Sequence, residues 1–261
     1  MQSTVQSVYS SCGLLQKSPH FHDCHQIILV VKGTATFCVN NKNHVAHAGN
    51  VAIFSRYENH SVAHCSDDYE RYVLHIDPDV VNRKSPVYSL LTDRPIGFCN
   101  IMNISPYFDE IKRIFMQILQ EHKSDTKLWD EMEQLSVKQL LIMIYRCTSI
   151  DFNNFQDPVV IDVKRQFENK YSERYTLDTL AKQYNVSVSA LSHRFRAATG
   201  VSVMEYLQSC RIAQAKRMLV EADLSIGDIV EKCGFSDASN FSRTFRQTVG
   251  ISPTQFKRKY I

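Results

Sequence analysis

The sequence has no apolar run approaching the roughly 18 residues that a membrane span needs, which excludes a transmembrane helix. Its first ten residues, MQSTVQSVYS, have neither the basic segment nor the apolar segment of a secretory signal. We therefore expect a cytoplasmic protein that does not contact a membrane and whose eight cysteines are reduced thiols. No CxxC pair occurs among these cysteines, so a structural zinc site built from them is not expected.

Extremes of composition are also absent. Hydrophobic residues make up 44% and charged residues 22% of the 261 residues, which excludes a disordered chain, a collagen-like chain and a coiled-coil rod. At roughly 150 residues per domain, this length predicts two domains. Residues 1–156 carry 14 Lys/Arg and 16 Asp/Glu, whereas residues 157–261 carry 16 and 11. An acidic partner such as nucleic acid is therefore expected at the C-terminal end.

Residues 20–80 are predicted to form short strands separated by turns. The β-branched apolar run from Ile27 to Val31 ends at Lys32-Gly33, a turn signal. Further strands are predicted at 34–39, 45–47, 51–54 and 71–76. Short strands broken by turns every 8–12 residues or so are typical of an antiparallel sandwich or barrel.

The apolar period changes at Ser105-Pro106, which we interpret as a helix N-cap followed by proline at the first helical position. A second helix is predicted over 128–147. The polar, turn-rich stretch SIDFNNFQDP (149–158) then indicates a boundary. We predict a first domain over 1–150, a linker over 151–158 and a helical domain over 159–261.

An internal repeat occupies the C-terminal third. Residues 189–202 (SALSHRFRAATGVS) align with residues 239–252 (SNFSRTFRQTVGIS) at an offset of 50, and the apolar pattern continues backwards at an offset of 49. The identical pairs are Ser189/Ser239, Ser192/Ser242, Phe195/Phe245, Arg196/Arg246, Gly200/Gly250 and Ser202/Ser252. One supersecondary unit therefore occurs twice.

Each copy is predicted to form a helix, a tight turn and a second helix, over about 176–198 and about 225–248. Thr176 caps the first copy, and Ser225-xx-Asp228 is a capping box in the second. A helix-turn-helix can place its second helix in the major groove of DNA. The alternative is a bundle of small helices that binds no nucleic acid. Duplication at a fixed spacing, with arginines in both copies, favours DNA.

The segment between the copies is rich in helix formers and begins with a second capping box, Ser202-xx-Glu205. Its roughly 19 residues would span about 28 Å at about 1.5 Å per residue. This approaches the 34 Å or so of one turn of B-DNA, so the two second helices could enter successive major grooves. A rigid connection would otherwise bend the DNA or leave one unit on the backbone.

The stretch from Ile226 to Tyr260, IGDIVEKCGFSDASNFSRTFRQTVGISPTQFKRKY, resembles the C-terminal signature of the AraC family of bacterial transcription regulators. The resemblance is strong over about 160–261 and looser before that, where the chain is similar to the family's cupin-like sensing domain. It implies an α+β multidomain protein, with an N-terminal cupin-like β-barrel and accessory helices followed by an all-α domain. It further implies seven helices with two helix-turn-helix units in that all-α domain, and dimerisation through the helices at 105–149, which could otherwise simply cover the sheet.

The resemblance also implies roles for individual residues. The base-reading positions carried over are Ser189, Ser192, His193, Ala238, Ser239, Asn240 and Arg243. Arginine can form two hydrogen bonds to guanine and asparagine two to adenine. His193 stands where relatives often have a longer basic side chain, which predicts weaker or pH-sensitive readout by the first unit. The residues predicted to contact phosphates are Arg194, Arg196, Arg246 and Lys257.

The segment PHFHDCHQIILVVKG (19–33) resembles the HxH motif of cupins. His20 and His22 share one face of a strand, and His60 could be a third histidine, which would suit Zn, Fe or Ni. Gln26, however, stands where a metal-binding cupin has glutamate and supplies no anionic oxygen. We therefore expect neither a metal nor a cofactor, and a small-ligand pocket instead. Its predicted lining is His22, Gln26, Ile28, Phe37, Phe54 and His60.

The leading hypothesis is a transcription regulator, not an enzyme, that binds double-stranded DNA and responds to a small ligand. An activator would also contact RNA polymerase. One alternative is a metal-cupin enzyme fused to a DNA-binding domain. Another is a ligand-free regulator controlled by its abundance or by a protein partner.

Overall fold

The structure of the protein is a computed structural model that describes residues 5–12, 19–39, 42–82, 85–92, 94, 98–124, 126–148, 157–221 and 224–260. The chain divides into two compact units, Met1–Gln156 and Asp157–Ile261. Of the linker predicted at 151–158, residues 151–156 lie outside the described residues. In the described part of the chain, no helix combines the length and apolar character that crossing a bilayer requires.

Two antiparallel sheets form the N-terminal unit. The described strands are β1 (Val5–Cys12), β2 (His25–Lys32), β3 (Thr34–Val39), β4 (Lys42–His47), β5 (Asn50–Phe54), β6 (His60–Cys65), β7 (Glu70–Ile76) and β8 (Ile101–Asn103). The larger sheet has the order β1-β7-β2-β5-β8, and the smaller has the order β4-β3-β6. Their facing side chains share one apolar core. This confirms the barrel-like N-terminal domain.

Strand β2 is buried on both faces, which explains its continuous apolar sequence. Ile28 and Val30 point into the core between the sheets, whereas Ile27 and Leu29 point into a second core beneath the helices. Because side chains alternate along a strand, each face of β2 contributes to a different core.

Strands β1, β6 and β8 were not predicted from the sequence. In β1, register shifts between Val5 and Ser7, so its buried residues Val5 and Val8 are three positions apart instead of two. A bulge of this kind removes the alternating pattern by which a strand is recognised. Strand β8 has only three residues, too few for any periodicity.

Helices α1 (Pro86–Leu91), α2 (Phe108–Glu121) and α3 (Trp129–Arg146) cover the second core. The expectation that Ser105 is the N-cap of α2 is wrong, because Ser105–Tyr107 forms a turn of 3₁₀ helix and α2 begins at Phe108. Glu133 of α3 is fully buried, where it accepts hydrogen bonds from the Val5 backbone (3.2 Å) and from His122 Nδ1 (2.8 Å). This carboxylate joins β1 to the helices.

The C-terminal unit is helical throughout its described residues, as predicted. Its helices are α4 (Pro158–Lys170), α5 (Leu177–Gln183), α6 (Val188–Thr199), α7 (Val203–Glu221), α8 (Ile226–Lys232), α9 (Ala238–Val249) and α10 (Pro253–Tyr260). Both helical pairs contact α7. In the pair α5–α6 the contact is made by α6, and in the pair α8–α9 both helices make it. The buried residues of α7 lie around nearly its whole circumference: Val203, Tyr206, Leu207, Cys210, Ile212, Ala213, Ala215 and Leu219.

The two helical pairs are built by the same local chemistry. Capping boxes begin α5 at Thr176 with Thr179 and α8 at Ser225 with Asp228. The turn residues Asn185 and Gly234, 49 positions apart, have φ values of 52° and 71°. Only glycine, and to a lesser degree asparagine, adopts this left-handed conformation readily, which explains why these residue types mark the two turns.

Candidate functional site

Helices α6 and α9 are the second helices of the first and second helix-turn-helix units of the C-terminal domain. Each begins at a side-chain cap. Ser187 Oγ accepts from the Ala190 backbone N–H (3.1 Å), and Asp237 Oδ1 accepts from the Asn240 backbone N–H (2.7 Å). These caps satisfy amide groups that the helix itself leaves unpaired. They fix the start of each helix, and with it the side chains that point outward.

The predicted base-reading residues of the second unit lie along one side of α9. Ser239 and Arg243 are exposed and four residues apart, and Asn240 is half-buried beside them. Arg243 Nη2 lies 3.3 Å from Asn240 Oδ1, so the guanidinium and the amide are neighbours. Arg246 is exposed one further turn along the helix. The result is a polar strip with two guanidinium groups and one amide.

Helix α6 exposes the equivalent positions with different chemistry. Ser189, His193 and Arg196 are exposed, and they correspond to Ser239, Arg243 and Arg246 at the offset of 50. Ser192 is half-buried. An imidazole therefore stands in the first unit where the second unit has a guanidinium.

Arg194 points away from this strip. Its Nε and Nη2 donate to the two carboxylate oxygens of Asp157 at 2.5 and 2.6 Å. The equivalent residue of α9, Thr244, is buried, whereas Arg194 is half-buried beside Asp157. This ion pair gives Arg194 a structural role, and its predicted phosphate contact stays a prediction.

Asp157 performs two tasks that the sequence analysis did not foresee. Its side chain caps α4 by accepting from the backbone of Val159 and Val160 and also holds Arg194. Burial acts to raise the pKa of this carboxyl, but the bonds from Arg194 and the two amides outweigh it and lower the pKa. The Asp-Pro pattern at 157–158 is a local signal that could have revealed the cap, whereas no local signal indicates the pairing with a residue 37 positions away.

Lys257, another predicted phosphate contact, is half-buried, and its Nζ donates to the Leu224 carbonyl at 3.0 Å. This bond ties α10 to the start of the second unit. Arg196 and Arg246 are therefore the more accessible of the four cations predicted to meet phosphate.

A chain of aromatic rings supports α9 from inside. Phe241 lies 5.2 Å from Phe235 and 5.6 Å from Phe245, which lies 5.6 Å from Phe256, measured between ring centroids. Phe241 and Phe245 are fully buried. Contacts of this geometry are favourable beyond the apolar area they bury, and they hold the outward strip on a rigid helix.

A cluster of histidines lies at one edge of the N-terminal unit. His20 and His60 form an isolated antiparallel bridge, with both backbone N–H···O bonds at 2.9–3.0 Å. The ring centroids of His20, His22 and His60 lie 4.5–5.3 Å apart. The two histidines of the HxH motif and the candidate third histidine, His60, therefore meet in space.

A fourth histidine, His75, was missed by the sequence analysis. Its ring centroid lies 4.7 Å from that of His22, and its Nε2 lies 2.9 Å from Gln26 Nε2. Because the amide NH₂ donates, the His75 Nε2 accepts and its Nδ1–H donates to Ser7 Oγ at 2.7 Å. No local sequence signal points to His75, because the pairing of β2 with β7 that places it opposite Gln26 joins distant parts of the chain.

Burial keeps two of these imidazoles neutral. Burial, reinforced by the neighbouring His20, lowers the pKa of His60 to about 3 and that of His75 to about 4. A hydrogen bond from His60 to the Glu58 carbonyl acts in the opposite direction but is outweighed. Both rings therefore present a lone pair near neutral pH.

The residues predicted to line a pocket divide into two groups. Ile28, Phe37 and Phe54 are buried in the core between the sheets. His22, Gln26 and His60 lie at its polar edge, where the His60 ring stacks on Phe54 with centroids 4.0 Å apart. Gln26 and His60 are themselves almost completely buried.

Comparison with known proteins identifies both units. A sequence model of the AraC-like ligand binding domain matches residues 8–135, and one of a helix-turn-helix domain matches residues 180–259. The HTH-type transcriptional activator RhaS of Enterobacter sp. (strain 638) is 24% identical over 242 residues, which cover 92% of this chain and 87% of RhaS. RhaS of Salmonella schwarzengrund is likewise 24% identical, over 250 residues.

Solved structures share the fold over the whole chain. ToxT from Vibrio cholerae O395 superimposes with a TM-score of 0.63 at 12% identity, covering 98% of both chains. Wild-type ToxT of strain SCE256, bound to an unsaturated fatty acid, has a TM-score of 0.59 at 15% identity and covers 98% of this chain and 97% of ToxT. The two domain matches lie on the two compact units described above. The protein therefore belongs to the AraC family, as a DNA-binding transcription regulator with an AraC-like ligand-binding domain.

Proposed function

We propose that the protein activates transcription by binding promoter DNA through the exposed strips of α6 and α9 and by contacting RNA polymerase. The observation that carries the DNA-binding part is the equivalence of the two strips, in which the same three positions are exposed on both helices. The similarity to RhaS, a transcriptional activator, supports activation and hence the polymerase contact.

Recognition of the DNA base sequence is assigned chiefly to the second helix-turn-helix unit. Arg243 can donate two bonds to guanine O6 and N7, and Asn240 can pair with adenine, whereas Ser189, Ser192, His193 and Ser239 offer single hydrogen bonds. Arg196 and Arg246 would neutralise phosphates on either side of the reading positions. The first helix-turn-helix unit has His193 in place of arginine. It would help to position the protein on DNA more than it would select the base sequence.

Replacement of Arg243 by alanine should relax base preference at one position of the binding site and weaken specific binding by about 1–3 kcal/mol. The reason is that the two-bond contact to guanine is lost while all backbone contacts remain. Selection of binding sites from a random duplex pool, followed by titration of the best site and its single-base variants, measures both effects. Equal loss on the selected site and on random DNA would contradict the base-reading role.

Arg246→Ala is the matched control, because it removes the same charge one turn away. It should weaken all sequences alike and reduce the slope of log affinity against log salt by about 1. A selective loss at one base pair in this variant would assign base reading to Arg246.

We further propose that a small-molecule effector binds at the polar edge of the N-terminal core, beside His22, Gln26 and His60, with Ile28, Phe37 and Phe54 as the apolar floor. In the described part of the chain, Gln26 Oε1 and His60 Nε2 are buried without a hydrogen-bond partner. Buried polar atoms of this kind are costly unless a ligand or water satisfies them. A ligand that donates a hydrogen bond to Gln26 Oε1 would satisfy that atom.

Dimerisation is proposed through α2 and α3. Leu135 and Ile142, seven residues apart on α3, are 60% and 43% exposed, and together with Tyr107 they line an open groove. Glu110 lies on the α2 side of this groove, and Lys138 and Arg146 lie on the α3 side. A two-fold axis would bring the acidic side of one copy against the basic side of the other and cover the apolar residues between them.

The double variant Leu135→Asp, Ile142→Asp should convert a dimer into a monomer, because it places charges in the buried centre of the contact. Sedimentation velocity of the full chain over a range of concentrations measures this. Val45→Asp, which changes an equally exposed apolar side chain on β4, should leave the dimer intact. Dimers that persist in the double variant would refute this interface.

A further inference from the structure

We propose that His20, His22 and His60 form a binding site for a divalent first-row transition-metal ion in the N-terminal unit. Each of the three offers one ring nitrogen, and these nitrogens all lie within 4.8 Å of one another. The proposal concerns metal binding alone and stands independently of DNA recognition.

The backbone brings the three histidines together in a fixed arrangement. The antiparallel bridge between residues 20 and 60 sets the positions of His20 and His60. His22, two residues after His20, projects to the same side of the chain, as the contact between their rings shows. The His20 and His22 rings meet edge to face at 5.0 Å. The cluster is therefore a product of the fold and not of three mobile surface side chains.

His60 is held as a metal-binding imidazole is held. Its Nδ1 donates to the Glu58 carbonyl at 2.9 Å, because a carbonyl oxygen can only accept. The ring also stacks on Phe54 at an interplanar angle of 7°. In the neutral ring this leaves the lone pair on Nε2, which is buried and has no hydrogen-bond partner among the described residues. A backbone acceptor on the far nitrogen is the usual way in which proteins orient a metal-ligating histidine.

The spacing is compatible with a single ion after small ring rotations. Zinc–nitrogen bonds of about 2.0–2.1 Å place tetrahedral ligand nitrogens about 3.4 Å apart, somewhat closer than the upper limit of 4.8 Å here. His20 and His22 are half-buried, and small rotations of their rings towards the fixed His60 would close this difference. Contraction at these two side chains would complete the site.

The donor set selects the class of ion. Three neutral imidazoles suit Zn²⁺, Cu²⁺, Ni²⁺ or Fe²⁺, whereas Mg²⁺ and Ca²⁺ prefer oxygen ligands that the cluster lacks. The absence of an anionic oxygen at Gln26, which had argued against metal at the level of sequence, does not exclude a site of three histidines. Such a site leaves a further coordination position for water or for an effector.

The test uses the full-length protein, stripped with a chelator and dialysed, with Zn²⁺ alone as the first probe. We expect one equivalent to bind and to raise the melting temperature, because an ion bound only by the folded state stabilises it. Loss of an outer-shell partner already weakens metal binding about 10–100-fold, so His20→Gln and His22→Gln should each weaken it at least that much. His64→Ala, which removes an exposed imidazole from the same strand as His60, should bind as the wild type does.

A second probe needs no variant and so does not depend on their folding. Co²⁺ in the wild-type protein should shift the ring-proton NMR resonances of His20, His22 and His60 most strongly, with a smaller through-space effect on His75, whose ring lies 4.7 Å from that of His22. The proposal is overturned if Zn²⁺ fails to bind in the stripped wild type, if His20→Gln and His22→Gln bind it undiminished, or if Co²⁺ shifts no histidine ring. These measurements contain no DNA, so failure here leaves the assignment of α6 and α9 untouched.

Discussion

Gly234→Ala should unfold the second helix-turn-helix unit or leave it marginally stable. The residue has φ of 71°, and a Cβ placed there would lie 2.3 Å from the Ser172 carbonyl oxygen and 2.8 Å from two further backbone atoms. The conformational penalty and the forced backbone movement together should cost about 2–5 kcal/mol. That is a large share of the 5–15 kcal/mol or so that stabilises a typical domain.

Two other glycines separate the conformational penalty from the cost of the steric clash. Gly250→Ala tests the conformation alone, because its φ is 86° but no atom lies within 4 Å of the added Cβ, and it should cost about 1–2 kcal/mol. Gly227→Ala lies in α8 and meets only Ser225 Oγ at 3.6 Å, so it should stabilise the protein by up to about 1 kcal/mol.

Urea unfolding followed by far-ultraviolet circular dichroism measures the three variants on one scale. Trp129, the single tryptophan, lies in the N-terminal unit, so its fluorescence reports that unit separately. We expect the order of stability to be Gly227→Ala, wild type, Gly250→Ala, Gly234→Ala. A Gly234→Ala protein as stable as Gly250→Ala would show that the segment at Ser172 yields without cost.

Phe245→Ala should be the most damaging truncation in α9. The ring is fully buried between Phe241 and Phe256, and its removal leaves a cavity where two aromatic contacts were. Phenylalanine-to-alanine changes in cores cost about 3–5 kcal/mol. DNA binding should be lost with folding, because the strip that carries Arg243 rests on this ring.

Phe195→Ala is the matched variant in the first unit, 50 positions earlier in the repeat and equally buried. It should cost a similar amount, since Phe195 packs edge to face on Tyr206 of α7 at 5.6 Å. Phe245→Leu, which retains most of the apolar volume, should cost less than half as much as Phe245→Ala. A mild effect of Phe245→Ala on the denaturation midpoint would mean that the aromatic chain does not hold α9 in place.

The helical unit could be predicted from the sequence because its determinants are local. Helix caps and turns depend on only a few neighbouring residues. Both copies of the repeat contain them, with caps at Thr176 and Ser225 and turns at Asn185 and Gly234. The AraC family and its ligand-binding domain followed from the resemblance and are confirmed by the comparisons. The assignments of individual base-reading, phosphate-contacting and pocket residues stay predictions.

What the sequence did not reveal depends on contacts between distant residues. The pair of Gln26 with His75 and the pair of Asp157 with Arg194 join positions 49 and 37 apart. Strand β1 was hidden because its bulge breaks the alternation. The register of strands is set by packing over the whole sheet, so no short window of sequence contains it.

Buried residues lie on nearly every side of helix α7, because it packs against both helical pairs. Neither pair is therefore a self-sufficient module. A chain cut within Val203–Glu221 would expose apolar surface on both fragments. We therefore expect neither fragment to remain a soluble, folded domain. The outward residues of α6 and α9 can therefore change independently during evolution, whereas the seven helices have to be retained together.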